Sequence, residues 1–353
     1  MWKLPIGIEE LNQEAIKLAS ERHDQLTKPQ GSLGLLEEIG IRLAGIQGET
    51  IPTVTPCAVV LMAGDHGVTE EGVSAFPSEV TVQMVLNFLA GGAAINALAR
   101  NANADVHVVD VGVKSDIPVP SETSNRLWVK KVRYGTDNMA KGPAMTREEA
   151  EKALQVGWEM GSQLHQAGYK MVALGEMGIG NTTASAAITA VLTGRPVQEV
   201  VGVGTGLSSQ GVQHKIETIQ KAIRVNSPNP TDPIDVLAKV GGLEICGLAG
   251  LILSCAAHRI PVVVDGFITS AAALAAAKIE PLVRSYLFGS HQSVEPGHRI
   301  VLEALELQPL FDFSMRLGEG SGAALALPVV QAAARVLREM ATFAEAGVAD
   351  AAS

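Results

Sequence analysis

Ala58-Val59-Val60-Leu61-Met62-Ala63-Gly64-Asp65-His66-Gly67 decides how this chain is read. Six apolar residues without polar alternation describe a strand buried on both faces, as strands of covered parallel sheets are. The glycine and aspartate that follow end it in a turn. The pattern recurs downstream. Val106–Val109 runs into Asp110-Val111-Gly112, Met171–Leu174 into Gly175-Glu176-Met177-Gly178, and Pro261–Val264 into Asp265-Gly266. Ser285–Phe288, followed by Gly289-Ser290-His291, reads as a fifth strand. Helical segments separate most of them. This alternation predicts an α/β fold with a parallel sheet flanked by helices.

The two ends of the chain read differently. Ile8, Leu11, Ala15 and Leu18 share one helical face over residues 8–24, and Leu33, Leu36, Ile39, Leu43 and Ile46 do so over 33–46. Lys28-Pro29-Gln30-Gly31-Ser32-Leu33-Gly34 forms the turn between them. From Val329 to Phe343 the apolar residues Val329, Ala333, Val336 and Met340 fall in step again. These segments predict a small helical domain, residues 1–49 plus 329–353, beside a large α/β domain, residues 50–328.

Composition narrows the function. Hydrophobic residues make up 47% and charged residues 18%, which suits a sizeable core and excludes disorder. Aromatics are only 4% while glycines number 36, favouring backbone-lined sites over base stacking. The net charge of −10, with no basic cluster beyond pairs such as Lys130-Lys131, argues against nucleic acid as a partner. Cys57, Cys246 and Cys255 lie in apolar stretches without CxxC spacing, so they read as buried, reduced thiols of a cytoplasmic protein. The first ten residues carry no signal-peptide apolar region. Ile245–Ala257 is shorter than the roughly 20 residues a membrane span requires, and reads as a buried core helix.

Four strands end in a carboxylate beside glycine: Asp65, Asp110, Glu176 and Asp265. Ligands of open parallel sheets bind beyond the carboxyl ends of the strands. Asp110 and Asp265 read as loop structure or as caps of the following helix, whereas glutamate is a poor cap, which singles out Glu176. The common nucleotide and hydrolase motifs fail. Gly202-Val203-Gly204-Thr205-Gly206-Leu207 has leucine where a dinucleotide fingerprint needs its third glycine. There is no Gly-Lys pair for a P-loop, no H-E-x-x-H, no i, i+4 histidine pair and no G-x-S-x-G elbow. No metal is expected.

Three segments carry chemistry. Arg316-Leu317-Gly318-Glu319-Gly320-Ser321-Gly322 holds a glutamate among three glycines. Beside apolar walls such a carboxylate acts as a base, whereas on a surface loop it only meets solvent; the pattern fits both. Gly175–Gly180, followed by Asn181-Thr182-Thr183, opens an apolar helix whose free N–H groups suit an anion, or else it is an ordinary capped turn. Gly202–Gly206 with Lys215 downstream offers amides and one cation to a phosphate, although Lys215 alone reads as a solvated helix lysine.

At these segments the chain resembles the nicotinate-nucleotide–dimethylbenzimidazole phosphoribosyltransferases, the family that activates the lower ligand of cobalamin. The matching stretches are Lys28–Gly34, Asp65-His66-Gly67-Val68, Gly72–Pro77, Gly175–Gly178 with Asn181–Thr183, Asn229-Pro230, Asp235–Leu237, Val240–Gly242, Asp265–Phe267 and Gly318–Ala323. They follow one another in family order over nearly the full length. The resemblance implies a Rossmann-like sheet, and a transferase moving the 5-phosphoribosyl group of nicotinate mononucleotide to 5,6-dimethylbenzimidazole with inversion at C1′. Its products are α-ribazole 5′-phosphate and nicotinate. It also implies a homodimer and no cofactor.

The resemblance assigns roles residue by residue. Glu319 matches the family's general base, and Glu176 lies at the reacting centre. Gly178, Gly204, Lys215 and Ser293 match positions around the nucleotide and its phosphate, while Phe76, Pro77, Gln83, Met84, Met177 and Leu317 match the base pocket. Phe76 stands where some relatives carry serine, and Gln83 one position before their glutamine. The pyridinium of the mononucleotide leaves as a neutral ring and needs no acid. The incoming benzimidazole must lose its N–H proton, so one well-placed carboxylate is the main requirement. The alternatives are a related nucleosidase, a transferase with another acceptor, or a non-catalytic nucleotide-binding module.

Overall fold

A computed structural model describes residues 3, 5, 7–118, 127–202, 206 and 208–349 of the chain. Seven parallel strands form one sheet among these residues. They are β1 (Cys57–Gly64), β2 (Ala104–Gly112), β3 (Leu127–Val129), β4 (Met171–Met177), β5 (Val262–Val264), β6 (Leu287–His291) and β7 (Pro309–Phe311). The order is β3-β2-β1-β4-β5-β6-β7. It reverses direction between β1 and β4, so the loops leaving these two strands diverge and open a crevice at their carboxyl ends. All eight residues of β1 are buried, as the unbroken apolar run requires.

The five strands expected from sequence are present. β6 begins at Leu287, two residues late, because Pro281–Tyr286 forms a 3-10 helix. The edge strands β3 and β7 escape a reading by apolar runs: each has three residues, and none of the six is fully buried.

Helices cover both faces. The run Leu243–Ala257 is α10, buried over all but its last residue, and it lies on α5 (Arg147–Gln166). The contact needs glycine. A Cβ on Gly157 would stand 1.8 Å from the Gly247 carbonyl oxygen, and one on Gly250 1.9 Å from that of Leu154. Glu79–Asn101 has an average hydropathy sufficient for a membrane span, yet Gly91, with φ of 79°, breaks it into α3 (Glu79–Ala90) and α4 (Ala94–Asn101). Neither piece reaches the roughly 20 residues required.

At the chain ends, α1 (Gln13–Gln25) and α2 (Leu35–Gln47) pack with α13 (Ser321–Glu339). Ala15, Ala19, Ala44 and Leu337 form a small apolar cluster of their own. Arg22 Nε donates to the Leu337 carbonyl at 2.6 Å, satisfying the C-terminal end of α13. α13 starts eight residues before Val329, so the boundary expected between 328 and 329 falls inside a continuous helix.

Candidate active site

Glu176 is the penultimate residue of β4. Beyond it the chain turns through Gly180, at φ 92°, into α6 (Asn181–Thr193). Asn181 Nδ2 makes a short hydrogen bond to Glu176 Oε2, and the Glu319 amide also donates to this carboxylate. Glu319 arrives from the far end of the chain on three consecutive residues in the left-handed region: Gly318 at φ 87°, Glu319 at 63° and Gly320 at 86°. A glutamate held in that conformation is strained unless its surroundings fix it. They do so from two sides. The loop crosses β4 at Gly175, where a Cβ would stand 2.6 Å from the Glu319 carbonyl oxygen. From the end of β5, the Asp265 carboxylate accepts the amides of Gly320 at 3.2 Å and Ala323 at 2.9 Å. Asp265 therefore caps α13, not the helix that follows it in sequence.

The space enclosed is a cavity of about 330 Å³ at the carboxyl ends of β4, β5 and β6. Phe76, Val80, Met84, Met177 and Leu317 give it an apolar wall. Glu176, Asp265 and Glu319 form the acidic side, with His291 beside Asp265, and Gly178, Thr182 and Ser293 form a polar one. Glu319 is buried, so the reading of a solvent-facing loop glutamate fails. Its Oε2 has no hydrogen-bond partner. Burial raises its proton affinity and the charge of Asp265 adds to this, while a hydrogen bond from the Ile95 amide opposes it. Glu176 goes further. Burial, then the charges of Asp265 and Glu244, push its carboxyl up to about 8 against the hydrogen bonds from Asn181 and Glu319.

Lys215 corrects the sequence reading. It lies on α8 (Ser209–Asn226), but it is 1% exposed and is no solvated lysine. Its Nζ donates to Thr182 Oγ1 at 2.7 Å, behind the cavity wall and beside the N-terminal turn of α6. Burial pulls its ammonium down to about 8, and the charge of Glu295 opposes the shift.

Of the residues expected at the site, Glu176, Glu319, Phe76, Met84, Met177, Gly178, Ser293 and Leu317 line the cavity. Pro77 and Gln83 do not. Both are exposed, because Pro77 precedes α3 and the cavity face of that helix is set by Val80 and Met84, one turn apart. Gly204 lies outside the described residues. His291 was missed, although it ends a strand that the sequence reading had marked. Its Nδ1 lies 3.0 Å from Ser290 Oγ and 4.0 Å from Asp265 Oδ1.

A cluster of buried carboxylates facing an apolar wall, with a helix N-terminus and a lysine to one side, defines a group-transfer enzyme for an anionic ligand. The chain belongs to the phosphoribosyltransferase family, whose model matches residues 8–348. It is 56% identical over 345 residues to the nicotinate-nucleotide–dimethylbenzimidazole phosphoribosyltransferase of Halalkalibacterium halodurans, covering 98% of this chain and 95% of the relative. The enzyme of that name from Geobacter sulfurreducens is 54% identical, with 96% of each chain covered. The crystal structure of CobT from Thermus thermophilus superposes with a TM-score of 0.91 at 50% identity, covering 96% of this chain and all of that one.

Proposed function

We propose that this enzyme transfers the 5-phosphoribosyl group of nicotinate mononucleotide to 5,6-dimethylbenzimidazole, with inversion at C1′. The observation that carries the reading is the Glu319 carboxylate, with an oxygen lacking a partner, set beside an apolar wall and held by a strained loop. A flat apolar azole fits that wall, and Glu319 takes its N–H proton as the other ring nitrogen attacks. Glu176, ionised once the cationic pyridinium nucleotide is bound, stabilises positive charge developing at C1′. The phosphate is held by amides at the start of α6, around Gly178, with Ser293 and the Lys215 charge.

The remaining readings are proposals of the same kind. The small apolar cluster of α1, α2 and α13 supports a helical unit beside the α/β part. A cytoplasmic homodimer is the expected setting. Phe313, exposed and stacked on Phe311 at 4.7 Å, supports a covering second copy.

The test is product analysis with a Glu319→Gln control. Proton NMR of the nucleotide formed from nicotinate mononucleotide and dimethylbenzimidazole should show the α anomer. Turnover should fall by about 10²–10⁴ in the variant, the usual contribution of a general base, while azole binding survives. A β product, or undiminished turnover in the variant, rejects the reading.

A further inference from the structure

A second cavity, of about 590 Å³, opens on the other side of the β1 carboxyl end. His66 is part of its wall. Behind that wall His66 Nε2 lies 2.7 Å from Glu244 Oε1, with the two side chains 2% and 0% exposed. Glu244 sits in the first turn of α10, and its second carboxylate oxygen has no hydrogen-bond partner. Gly178, which lines the substrate cavity, packs against this pair. A Cβ on Gly178 would stand 3.3 Å from His66 Nε2 and 3.4 Å from Glu244 Oε1. Stability does not explain the pair. A buried ion pair adds little or nothing over well-packed apolar side chains, because desolvation offsets the attraction.

We propose that His66 and Glu244 are a positioning pair for the transfer reaction: from behind Gly178 they set how readily Glu176 releases its proton when the cationic nucleotide binds. The proposal rests on Glu176 being the carboxylate at the reacting centre. Glu176 is faced by Asp265 from β5, Glu244 from α10, the neutral Asn181 from α6 and the amide of Glu319. His66 is faced by Glu244 and Asp65. Across the second cavity stand Lys114, Arg133 and Lys141, set against Glu70 and Asp137. Burial alone would lower the proton affinity of the His66 ring; the charge and hydrogen bond of Glu244 outweigh it and raise it. His66 thereby holds the Glu244 carboxylate in place against the Gly178 backbone.

Glu244→Gln removes one negative charge facing Glu176, so Glu176 should ionise more readily. The protonated Glu176 carbonyl is assigned in the infrared spectrum as the band absent from Glu176→Gln. Its midpoint should fall by on the order of one pH unit in Glu244→Gln, and the acid limb of kcat/KM should move with it. An unmoved midpoint overturns the proposal. A midpoint that moves while the acid limb stays put leaves the pair's influence on Glu176 intact but overturns its part in the reaction, and locates the failure in the role given to Glu176. Should Glu244→Gln not fold, nitrogen-15 shifts of His66 in the unmodified enzyme decide. A doubly protonated ring at pH 6.5 is expected, and a singly protonated one overturns the pair.

Discussion

Glu176 carries a large electrostatic burden at the site, and the folded chain should show it as a pH-dependent loss of stability. Its proton affinity rises from the ordinary 4.5 to about 8 on folding. Between these values the folded chain holds a proton that the unfolded chain has lost. Stability therefore falls as pH rises through this window. Glu176→Gln lacks the effect, so denaturant titrations should show it gaining on the unmodified protein from pH 5 to pH 8, by on the order of a few kcal/mol. A constant difference across that range would contradict the burial assigned to Glu176. Lys215 makes a complementary case. Its ammonium is buried against Thr182, so Lys215→Ala should raise KM for nicotinate mononucleotide. A lost charge-assisted hydrogen bond of about 1.5–3 kcal/mol corresponds to roughly 10- to 150-fold. The constant for dimethylbenzimidazole should stay where it was, since a neutral azole needs no cation. Equal effects on both substrates would remove Lys215 from the phosphate site.

At the scale of elements, the decisive contact is a loop crossing a strand. The turn ahead of α13 rests on β4 at Gly175, and Asp265 ties it to β5. Gly175→Ala would force a Cβ against the Glu319 carbonyl, backbone against side chain with no flexible end to yield. A displacement of about 1 Å at a catalytic group costs on the order of 10²-fold. The variant should lose kcat by that order while retaining its nucleotide KM, a split that steady-state kinetics resolves. Gly175 was visible in the sequence as part of a glycine-rich turn. Its partner, 144 residues downstream, was not, because that contact exists only once β4 and the α13 loop are layered.

On the scale of the whole molecule, the sheet order places the site. The order reverses between β1 and β4, so the loops leaving β1 and β4 part and the strand ends from β4 to β6 converge on one cavity. The exposed Phe313, near the cavity-lining Arg316 and Leu317, is left as an apolar surface. Covering it by a second copy fits the commonest closed assembly, a two-fold dimer. Light scattering should give twice the 36.9 kDa chain mass at micromolar concentration, and a monomer would refute the assembly.

The sequence by itself determined the local grammar: which runs are strands, that they lie in a covered parallel sheet, and that carboxylates and glycines follow their ends. Those features depend on near neighbours, whose spacing is printed in the chain. It also held the motifs that align this chain with a family of known chemistry. What only the tertiary structure decided is which distant groups meet, and in what dielectric. Asp265 caps α13 and not the helix it precedes, Lys215 is buried and not solvated, and His66 pairs with Glu244 178 residues away. The physical reason is that charge and capping act through space. A side chain's proton affinity follows from what surrounds it after folding, and crossover connections bring together residues that no short-range pattern relates.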